Sequence, residues 1–207
     1  LEIMDKPHIT LIGMGLIGSS IGHALKRGDL AAHITGYARS AETRQKALNI
    51  GFVDSIADSL KGAVAEADIV FLNVPVGMIA EIVRDMAPSL KPGAIVTDVG
   101  SVKKSVIDAV HEHLTKNTTF VPAHPIAGTE LSGPEAGFAE LFDNRWCILT
   151  PDSETDKQAV QTISDLWRAM GSDVETMDAD HHDLVLAITS HVPHLIAFNI
   201  VGTAADL

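Results

Sequence analysis

The feature that most constrains this chain is a glycine-rich turn, Gly13-Met14-Gly15-Leu16-Ile17-Gly18, between a short apolar run and an amphipathic stretch. The run His8–Ile12 is typical of a buried strand, and Leu16–Arg27 carries apolar residues at helical spacing. In such a unit the first glycine permits the tight turn, the second lets a pyrophosphate approach the backbone, and the third lets helix and strand pack closely. The phosphates then meet free N–H groups at the helix N-terminus. The turn therefore predicts a dinucleotide-binding Rossmann domain.

Short apolar runs alternate with amphipathic stretches along most of the chain, which is the pattern of βαβ units. The candidate strands are His8–Ile12, His33–Tyr37, Ile69–Val74, Ala94–Val99, Thr119–Pro122, Trp146–Thr150 and Asp173–Thr176. The candidate helices are Leu16–Arg27, Ala41–Asn49, Met78–Met86, Val102–Leu114 and Asp156–Met170. The predicted fold class is α/β, with a Rossmann-type doubly wound, mostly parallel sheet.

The last thirty residues of the sequence have no strand signal and differ from the rest. Their apolar-rich stretch, Leu184–Val201, is interrupted by Pro193, which predicts a kinked or broken helix. A helix of this composition exposes too much apolar surface when it has no partner. We therefore expect residues 1–177 to form the dinucleotide-binding domain. Residues 178–207 are expected to begin an all-helical substrate and dimerisation domain that is cut short here, with a homodimer as the assembly.

Composition narrows the class of function. The chain is 46% apolar and 20% charged, which is typical of a globular protein, and its net charge of -12 with no basic stripe argues against nucleic-acid binding. It has no uninterrupted run of 18 apolar residues, so we expect no membrane partner. The single cysteine, Cys147, lies in an apolar run and is predicted to be a buried strand residue. The absence of an internal disulfide suits a cytoplasmic location.

The residues after the second candidate strand bear on the choice of cofactor. NAD-specific domains usually present Asp or Glu there to the ribose hydroxyls, whereas this chain has Ala38, Arg39 and Ser40. A 2′-phosphate meets no carboxylate here and can pair with Arg39, so NADP is favoured over NAD. Alternatively, Arg39 stacks on the adenine face. The predicted cofactor-binding residues are Gly13, Gly15, Leu16, Ile17, Gly18, Ala38, Arg39, Ser40, Val74 and Pro75.

Two further segments carry polar groups at the ends of candidate strands. One is Val96-Thr97-Asp98-Val99 followed by Gly100-Ser101-Val102-Lys103, and the other is His124-Pro125-Ile126-Ala127-Gly128-Thr129-Glu130. Ligands of open α/β sheets bind outside the carboxyl ends of the strands. His124 is therefore a candidate acid or base at the same edge as the glycine turn.

Taken together, these segments resemble the prephenate/arogenate (cyclohexadienyl) dehydrogenase family. The matching stretches stand in the family's order and spacing: GMGLIGSSI (13–21), VTDVGSVK (96–103), HPIAGTE (124–130), SGPEAGFAELFDNRWCILTP (132–151) and SHVPH (190–194). The resemblance implies an NAD(P)-dependent enzyme of tyrosine biosynthesis. It would decarboxylate prephenate or arogenate oxidatively, with hydride transfer to the nicotinamide.

The resemblance also implies roles for individual residues. His124 matches the catalytic histidine, and Ser101 matches the serine that hydrogen-bonds the substrate hydroxyl or this imidazole. Glu130 matches a carboxylate at the mouth of the site, and His191 and His194 match a helical pair on the substrate side. The family's carboxylate-binding arginine lies in a helical segment that has no counterpart within these 207 residues.

Three alternatives follow from the same residues. A zinc site could use His181, His182, His191 and His194 with Asp180 or Asp183, but adjacent histidines do not share a helix face and no cysteine lies nearby, so no metal is predicted. A β-hydroxyacid-type dehydrogenase would need a lysine on a later helix, and the stretch 184–201 has none. The third alternative is an NAD(P)-binding module without catalytic activity.

Overall fold

The glycine turn joins a strand to a helix at the centre of a parallel sheet. The computed structural model describes residues 6–205, so residues 1–5 and 206–207 of the two predicted domains lie outside the described part. The strands of this sheet are β1 (His8–Ile12), β2 (His33–Tyr37), β3 (Ser55–Ile56), β4 (Ile69–Leu72), β5 (Ile95–Asp98) and β6 (Thr119–Val121). The intervening helices are α1 (Leu16–Arg27), α2 (Ala41–Ile50), α3 (Leu60–Val64), α4 (Ile79–Met86) and α5 (Lys104–His111).

All neighbouring strands of this sheet run parallel, in the order β3-β2-β1-β4-β5-β6. This is the strand order of the dinucleotide-binding Rossmann fold, whose ligand crevice lies where the order reverses, between β1 and β4. The predicted α/β fold class is confirmed. Neither β3 nor α3 is among the predicted elements, because two and five residues are too few to establish a period.

A second, smaller sheet follows the first and was not predicted as a separate sheet. Its strands are β7 (Ala123–Pro125), β8 (Trp146–Leu149) and β9 (Asp173–Thr176), with helix α6 (Lys157–Ala169) between the last two. Strand β7 is antiparallel to β8, and β8 is parallel to β9. Only Pro122 separates β6 from β7. The chain therefore changes sheet within one apolar run, which local sequence patterns do not reveal.

Both faces of the main sheet are covered, as expected for buried parallel strands. Along β4, Ile69 and Phe71 face one apolar cluster, while Val70 and Leu72 face the other. The first cluster includes Trp167 of α6, whose ring packs edge-on against Phe71 with a centroid distance of 6.0 Å. The second is closed by α3, α4 and α5. The remaining short helical turns are Val76–Met78, Ala87–Ser89 and Pro134–Ala136. Cys147 is buried in β8, as predicted.

The C-terminal segment forms one helix that runs through Pro193 without interruption. It consists of α7 (Ala179–Leu186), a π-helical turn (Ala187–His191) and α8 (Val192–Ala205). Of the two predicted alternatives, a break at Pro193 is therefore wrong, and a kink stays a prediction. Proline lacks the N–H that continues the α-helical ladder and crowds the preceding turn. The wider π-helical turn directly before α8 accommodates both effects.

This C-terminal helix exposes most of its apolar side chains in the described part of the chain. Phe198 is 75% exposed and Val201 66%. The most apolar 18-residue window within residues 179–203 has a mean hydropathy of 1.7, and the helix is long and apolar enough to cross a membrane by length and composition alone. The sequence analysis expected no segment able to cross a membrane, whereas this helix meets the criterion of length and composition. Core helices of soluble proteins meet the same criterion, so it does not by itself indicate a membrane.

Candidate active site

The three glycines of the turn occupy three different environments. Gly13 has φ of 93°, and a β-carbon there would lie 2.3 Å from the carbonyl oxygen of Asn73. A β-carbon on Gly18 would lie 2.2 Å from the carbonyl oxygen of Gly13, so only glycine allows α1 to begin this close to β1. Gly15 faces open space, with nothing within 4 Å of the position that a β-carbon would occupy. The turn thus leaves room for a ligand at the N-terminus of α1.

A cavity of about 270 Å³ lies beside this turn. It is lined by six of the ten predicted cofactor residues: Gly13, Gly15, Ala38, Arg39, Val74 and Pro75. The other four lie close by with structural contacts. Leu16 and Ile17 pack on the core, Gly18 touches Gly13, and Ser40 caps α2 by accepting a hydrogen bond from the Thr43 amide at 3.3 Å.

Asn73, at the end of β4, indicates whether the cavity beside the glycine turn suits a dinucleotide. Both polar atoms of its side chain are buried and have no hydrogen-bond partner among the described residues, and Asn73 lines the same cavity. Buried amides without partners are costly in folded proteins. A ligand with hydroxyl or phosphate groups would satisfy them, so the cavity fits a bound dinucleotide. The sequence analysis missed Asn73 because its only signal is a polar residue at the end of an apolar strand.

The loop after β2 is braced by a second arginine that the sequence analysis also missed. Arg44 donates from Nη1 to the carbonyl oxygens of Ala38 and Arg39, at 2.7 and 3.2 Å. This contact fixes the loop backbone and leaves the Arg39 side chain exposed at the rim of the cavity. Loop residues 38–40 therefore offer one guanidinium and one hydroxyl, and no carboxylate, at the rim of the cavity.

A larger cavity of about 770 Å³ lies at the neighbouring strand ends. It is lined by all five predicted catalytic and substrate-binding residues, namely Ser101, His124, Glu130, His191 and His194. Ser101 follows β5, His124 lies in β7, and the last two histidines come from the C-terminal helix. Leu186 and Phe198 complete the wall on the helix side. The structure thus brings together residues that are up to 93 positions apart in sequence (101 to 194).

The loops that follow β4 and β5 lie close together, and each contributes residues to one of the two cavities. Val76, directly after the cofactor-side residues Val74 and Pro75, lies 3.2 Å from the position that a β-carbon of Gly100 would occupy. Gly100 immediately precedes Ser101, which lines the larger cavity. The loop after β4 therefore packs closely against the loop that carries Ser101.

A buried ion pair holds the larger cavity's walls together. Asp98 and Lys103 are both completely buried, and the Lys103 ammonium donates to the Asp98 carboxylate and, at 2.7 Å, to the carbonyl oxygen of Ala123. The Asp98 carboxylate also accepts the amides of Gly100, at 2.8 Å, and Ala123, at 3.1 Å. These bonds tie β5, the start of α5 and β7 into one unit. Removing one partner of such a pair typically costs about 3–5 kcal/mol.

The electrostatic surroundings of His124 favour an uncharged imidazole. Burial, followed by the positive charge of Lys103 and the nearby rings of His182 and His191, lowers the pKa of His124 to about 3. The ring is therefore neutral at physiological pH and able to accept a proton. The position of His124 also differs from the one predicted. It lies within β7 of the second sheet and not beyond the end of a strand of the first sheet.

His182 is the main site residue that the sequence analysis did not assign to the chemistry. Its Nε2 lies 2.9 Å from Nδ1 of His124, and its side chain is completely buried, whereas its neighbour His181 is exposed. Among the described residues, Ser101 makes no hydrogen bond to His124, so His182 and not Ser101 holds the imidazole. Within residues 6–205 no group of three or more His, Cys, Asp or Glu side chains is arranged to hold a metal ion.

Comparison with known proteins decides the family. Residues 21–176 match the family model described as prephenate dehydrogenase, nucleotide-binding domain. The chain belongs to the prephenate dehydrogenase family. It is 46% identical over 197 residues to the cyclohexadienyl dehydrogenase of Zymomonas mobilis, covering 94% of this chain and 66% of that protein. It is 37% identical to the prephenate dehydrogenase of Bacillus subtilis, covering 95% of this chain and 53% of that protein.

Solved structures of the family agree with the fold. The prephenate dehydrogenase of A. aeolicus, in complex with hydroxyphenyl propionate and NAD+, superposes with a TM-score of 0.92 at 33% identity, covering 100% of this chain and 72% of that one. The arogenate dehydrogenase of Synechocystis superposes with a TM-score of 0.85 at 29% identity, covering 96% and 69%. The chain spans about half to two thirds of the length of the curated relatives it matches. Family membership establishes an NAD(P)-binding dehydrogenase domain.

Proposed function

We propose that the natural protein oxidises and decarboxylates prephenate, arogenate or both, with hydride transfer to NAD(P), in tyrosine biosynthesis. The observation that carries this proposal is the larger cavity. A buried, neutral His124 lines this cavity together with Ser101, Glu130, His191 and His194. The glycine turn typical of dinucleotide binding lies at the same edge of the main sheet. Relatives named prephenate, cyclohexadienyl and arogenate dehydrogenase support the same reaction.

The chemistry requires a base beside the hydroxyl-bearing carbon of a cyclohexadiene ring. A dinucleotide held through its pyrophosphate by the glycine turn would supply the nicotinamide that accepts the hydride. As the carbon–hydrogen bond of the carbinol breaks, His124 accepts the hydroxyl proton on its free ring nitrogen. Loss of the ring carboxylate as CO2 then makes the ring aromatic. In this mechanism Ser101 hydrogen-bonds the substrate hydroxyl.

The remaining cavity residues are assigned to substrate binding. His191 and His194 are three positions apart on the C-terminal helix and face the cavity together, as side chains at that spacing can. Glu130 is exposed at the rim. The stretch 184–201 contains no lysine, which argues against the β-hydroxyacid type of dehydrogenase. A purely nucleotide-binding module would not need the second cavity.

The proposal includes a preference for NADP over NAD. The loop after β2 offers the Arg39 guanidinium and the Ser40 hydroxyl, which keeps its proton to donate while it caps α2. Arg44, which lies 3.8 Å from the Asp58 carboxylate, holds the loop backbone in place from behind. A 2′-phosphate is stabilised by this arrangement, whereas ribose hydroxyls find no carboxylate acceptor there.

We further propose that residues 178–207 begin a helical domain that completes the site and mediates a homodimer in the cytoplasm. The exposed apolar residues of α8 support packing against further protein. The same helix contributes the polar side chains of Ser190, His191 and His194 to the larger cavity, which supports an aqueous over a membrane setting.

The direct test is an assay of the natural full-length protein with prephenate and with arogenate, each with NAD and with NADP. We expect turnover of at least one substrate and a higher kcat/KM for NADP. Arg39→Ala should lower kcat/KM for NADP by about tenfold and leave NAD nearly unchanged, because a phosphate–guanidinium pair is lost. Arg168→Ala, on the exposed face of α6, is the matched control. A higher kcat/KM with NAD, or an unchanged KM for NADP in Arg39→Ala, would contradict the cofactor preference.

A further inference from the structure

A chain of hydrogen bonds leads from His124 away from the cavity to the N-terminus of α5. Nδ1 of His124 lies 2.9 Å from Nε2 of His182, and Nδ1 of His182 lies 2.8 Å from Oδ1 of Asp183. The Asp183 carboxylate in turn accepts the backbone amides of Lys103, at 2.7 Å, and Lys104, at 3.0 Å. The chain thus begins at a candidate catalytic ring and ends on a helix terminus in the Rossmann domain.

The direction of each bond follows from the carboxylate end. Burial opposes ionisation of Asp183, but the amides of Lys104 and Lys103 and the ring of His182 outweigh it and hold the pKa of this carboxyl below its usual range. An ionised carboxylate only accepts hydrogen bonds, so His182 must donate from Nδ1. Burial, as the main cause, lowers the pKa of His182, so this ring is neutral and its Nε2 is an acceptor. His124 must then donate from Nδ1, and its proton-free nitrogen is Nε2.

We propose that His182 and Asp183 are positioning residues that fix His124 in the tautomer with Nδ1 protonated and Nε2 free for the substrate. This inference rests on the proposed function of His124 as a base, and it names what makes that ring a base. The opposite tautomer of His124 would present an N–H to the substrate hydroxyl and could not accept its proton. The N-terminus of α5 contributes because the backbone amides of Lys103 and Lys104 donate to the Asp183 carboxylate and keep it ionised.

Groups from other elements also pack around His124 and His182, and they leave the direction of the two hydrogen bonds unchanged. Lys103, paired with the buried Asp98, and His191, in the π-helical turn, both lower the pKa of His124 and so keep its ring neutral. The thiol of Cys147 lies near His124 in β8, and burial raises its pKa well above the usual value, so it stays protonated. Among these described groups, Asp183 is the one anion that contacts the ring of either His124 or His182.

The test is Asp183→Asn, which keeps the size of the side chain but can donate to Nδ1 of His182 and so reverse both bonds. In the full-length protein we expect kcat to fall about 100-fold or more while KM changes by less than about threefold. Histidine 15N shifts, measured by long-range 1H–15N correlation and assigned with His124→Asn, should move His124 to the Nε2-protonated form. Asp180→Asn, an exposed position on the same helix near Lys104, is the matched control and should change neither.

A second pair of variants keeps the test decisive if Asp183→Asn folds poorly. His182→Gln offers an amide oxygen to Nδ1–H of His124, whereas His182→Leu offers none, so kcat should be at least about tenfold higher for Gln. Equal kcat values for this pair, or retention of the Nδ1-protonated form of His124 in Asp183→Asn, would overturn the proposal. Absence of turnover in the unmodified protein would instead overturn the proposed function, while the 15N shifts would still decide the tautomer.

Discussion

At the scale of the residue, His124 illustrates both the reach and the limit of sequence reasoning. Its place in HPIAGTE identified it, and the structure places it in a cavity with the four other predicted site residues. Its hydrogen-bond partner could not be predicted, because His182 lies 58 positions away and reaches it only when α7 docks on α5. Nothing in the sequence distinguishes His181 from His182, and only the structure shows that the first ring is exposed and the second buried.

Burial of a neutral His124 makes the stability of the protein depend on pH. The pKa of His124 is about 3 in the folded chain, against an ordinary value of 6.5. Between these values the unfolded state binds the extra proton, so the stabilisation present above pH 6.5 is lost as the pH falls, by up to about 1.4 kcal/mol per pH unit. Urea denaturation between pH 7.5 and 5 should therefore show a shallower pH slope for His124→Asn than for the unmodified protein. Identical slopes would contradict the buried neutral ring.

At the scale of the element, segments bounded by clear turn residues were predicted well, whereas elements defined by long-range contacts were not. The bounds of β1, α1, β2 and β9 match the sequence interpretation residue for residue. The missed β7 follows β6 after one residue, and its pairing with β8 is a long-range contact. The C-terminal helix continues through Pro193 because a π-helical turn, which has no sequence period of its own, precedes it.

The glycine turn allows a prediction with an internal control. Gly15→Ala places a methyl group in open space with φ of -80°, so stability should be unchanged or slightly higher while affinity for the dinucleotide falls by about tenfold or more. Gly18→Ala forces a methyl group against the Gly13 carbonyl and should lower the free energy of unfolding by about 1–3 kcal/mol.

Calorimetric titration with NADP and thermal melts of both variants would distinguish the two roles. Equal loss of stability in Gly15→Ala and Gly18→Ala would show that the open space at Gly15 is not kept for a ligand.

At the scale of the whole molecule, the site is assembled from units that are distant in sequence. The glycine turn and the loop after β2 form one cavity, while β5, β7 and the C-terminal helix form the other. The buried Asp98–Lys103 pair and the contact of Asp183 with α5 join these units. Sequence motifs identified the segments that form the site. The bonds between these segments are tertiary contacts, and only the structure shows them.

The central claim is that His124 is the base of a dehydrogenase reaction, and kcat of His124→Asn in the full-length protein tests it most directly. The measurement uses whichever of prephenate and arogenate is turned over, with His181→Asn as the exposed control and the dissociation constant of the dinucleotide measured alongside. We expect kcat to fall about 100-fold or more, with dinucleotide affinity within about twofold of the unmodified protein. A variant that retains more than about a tenth of kcat would contradict the claim.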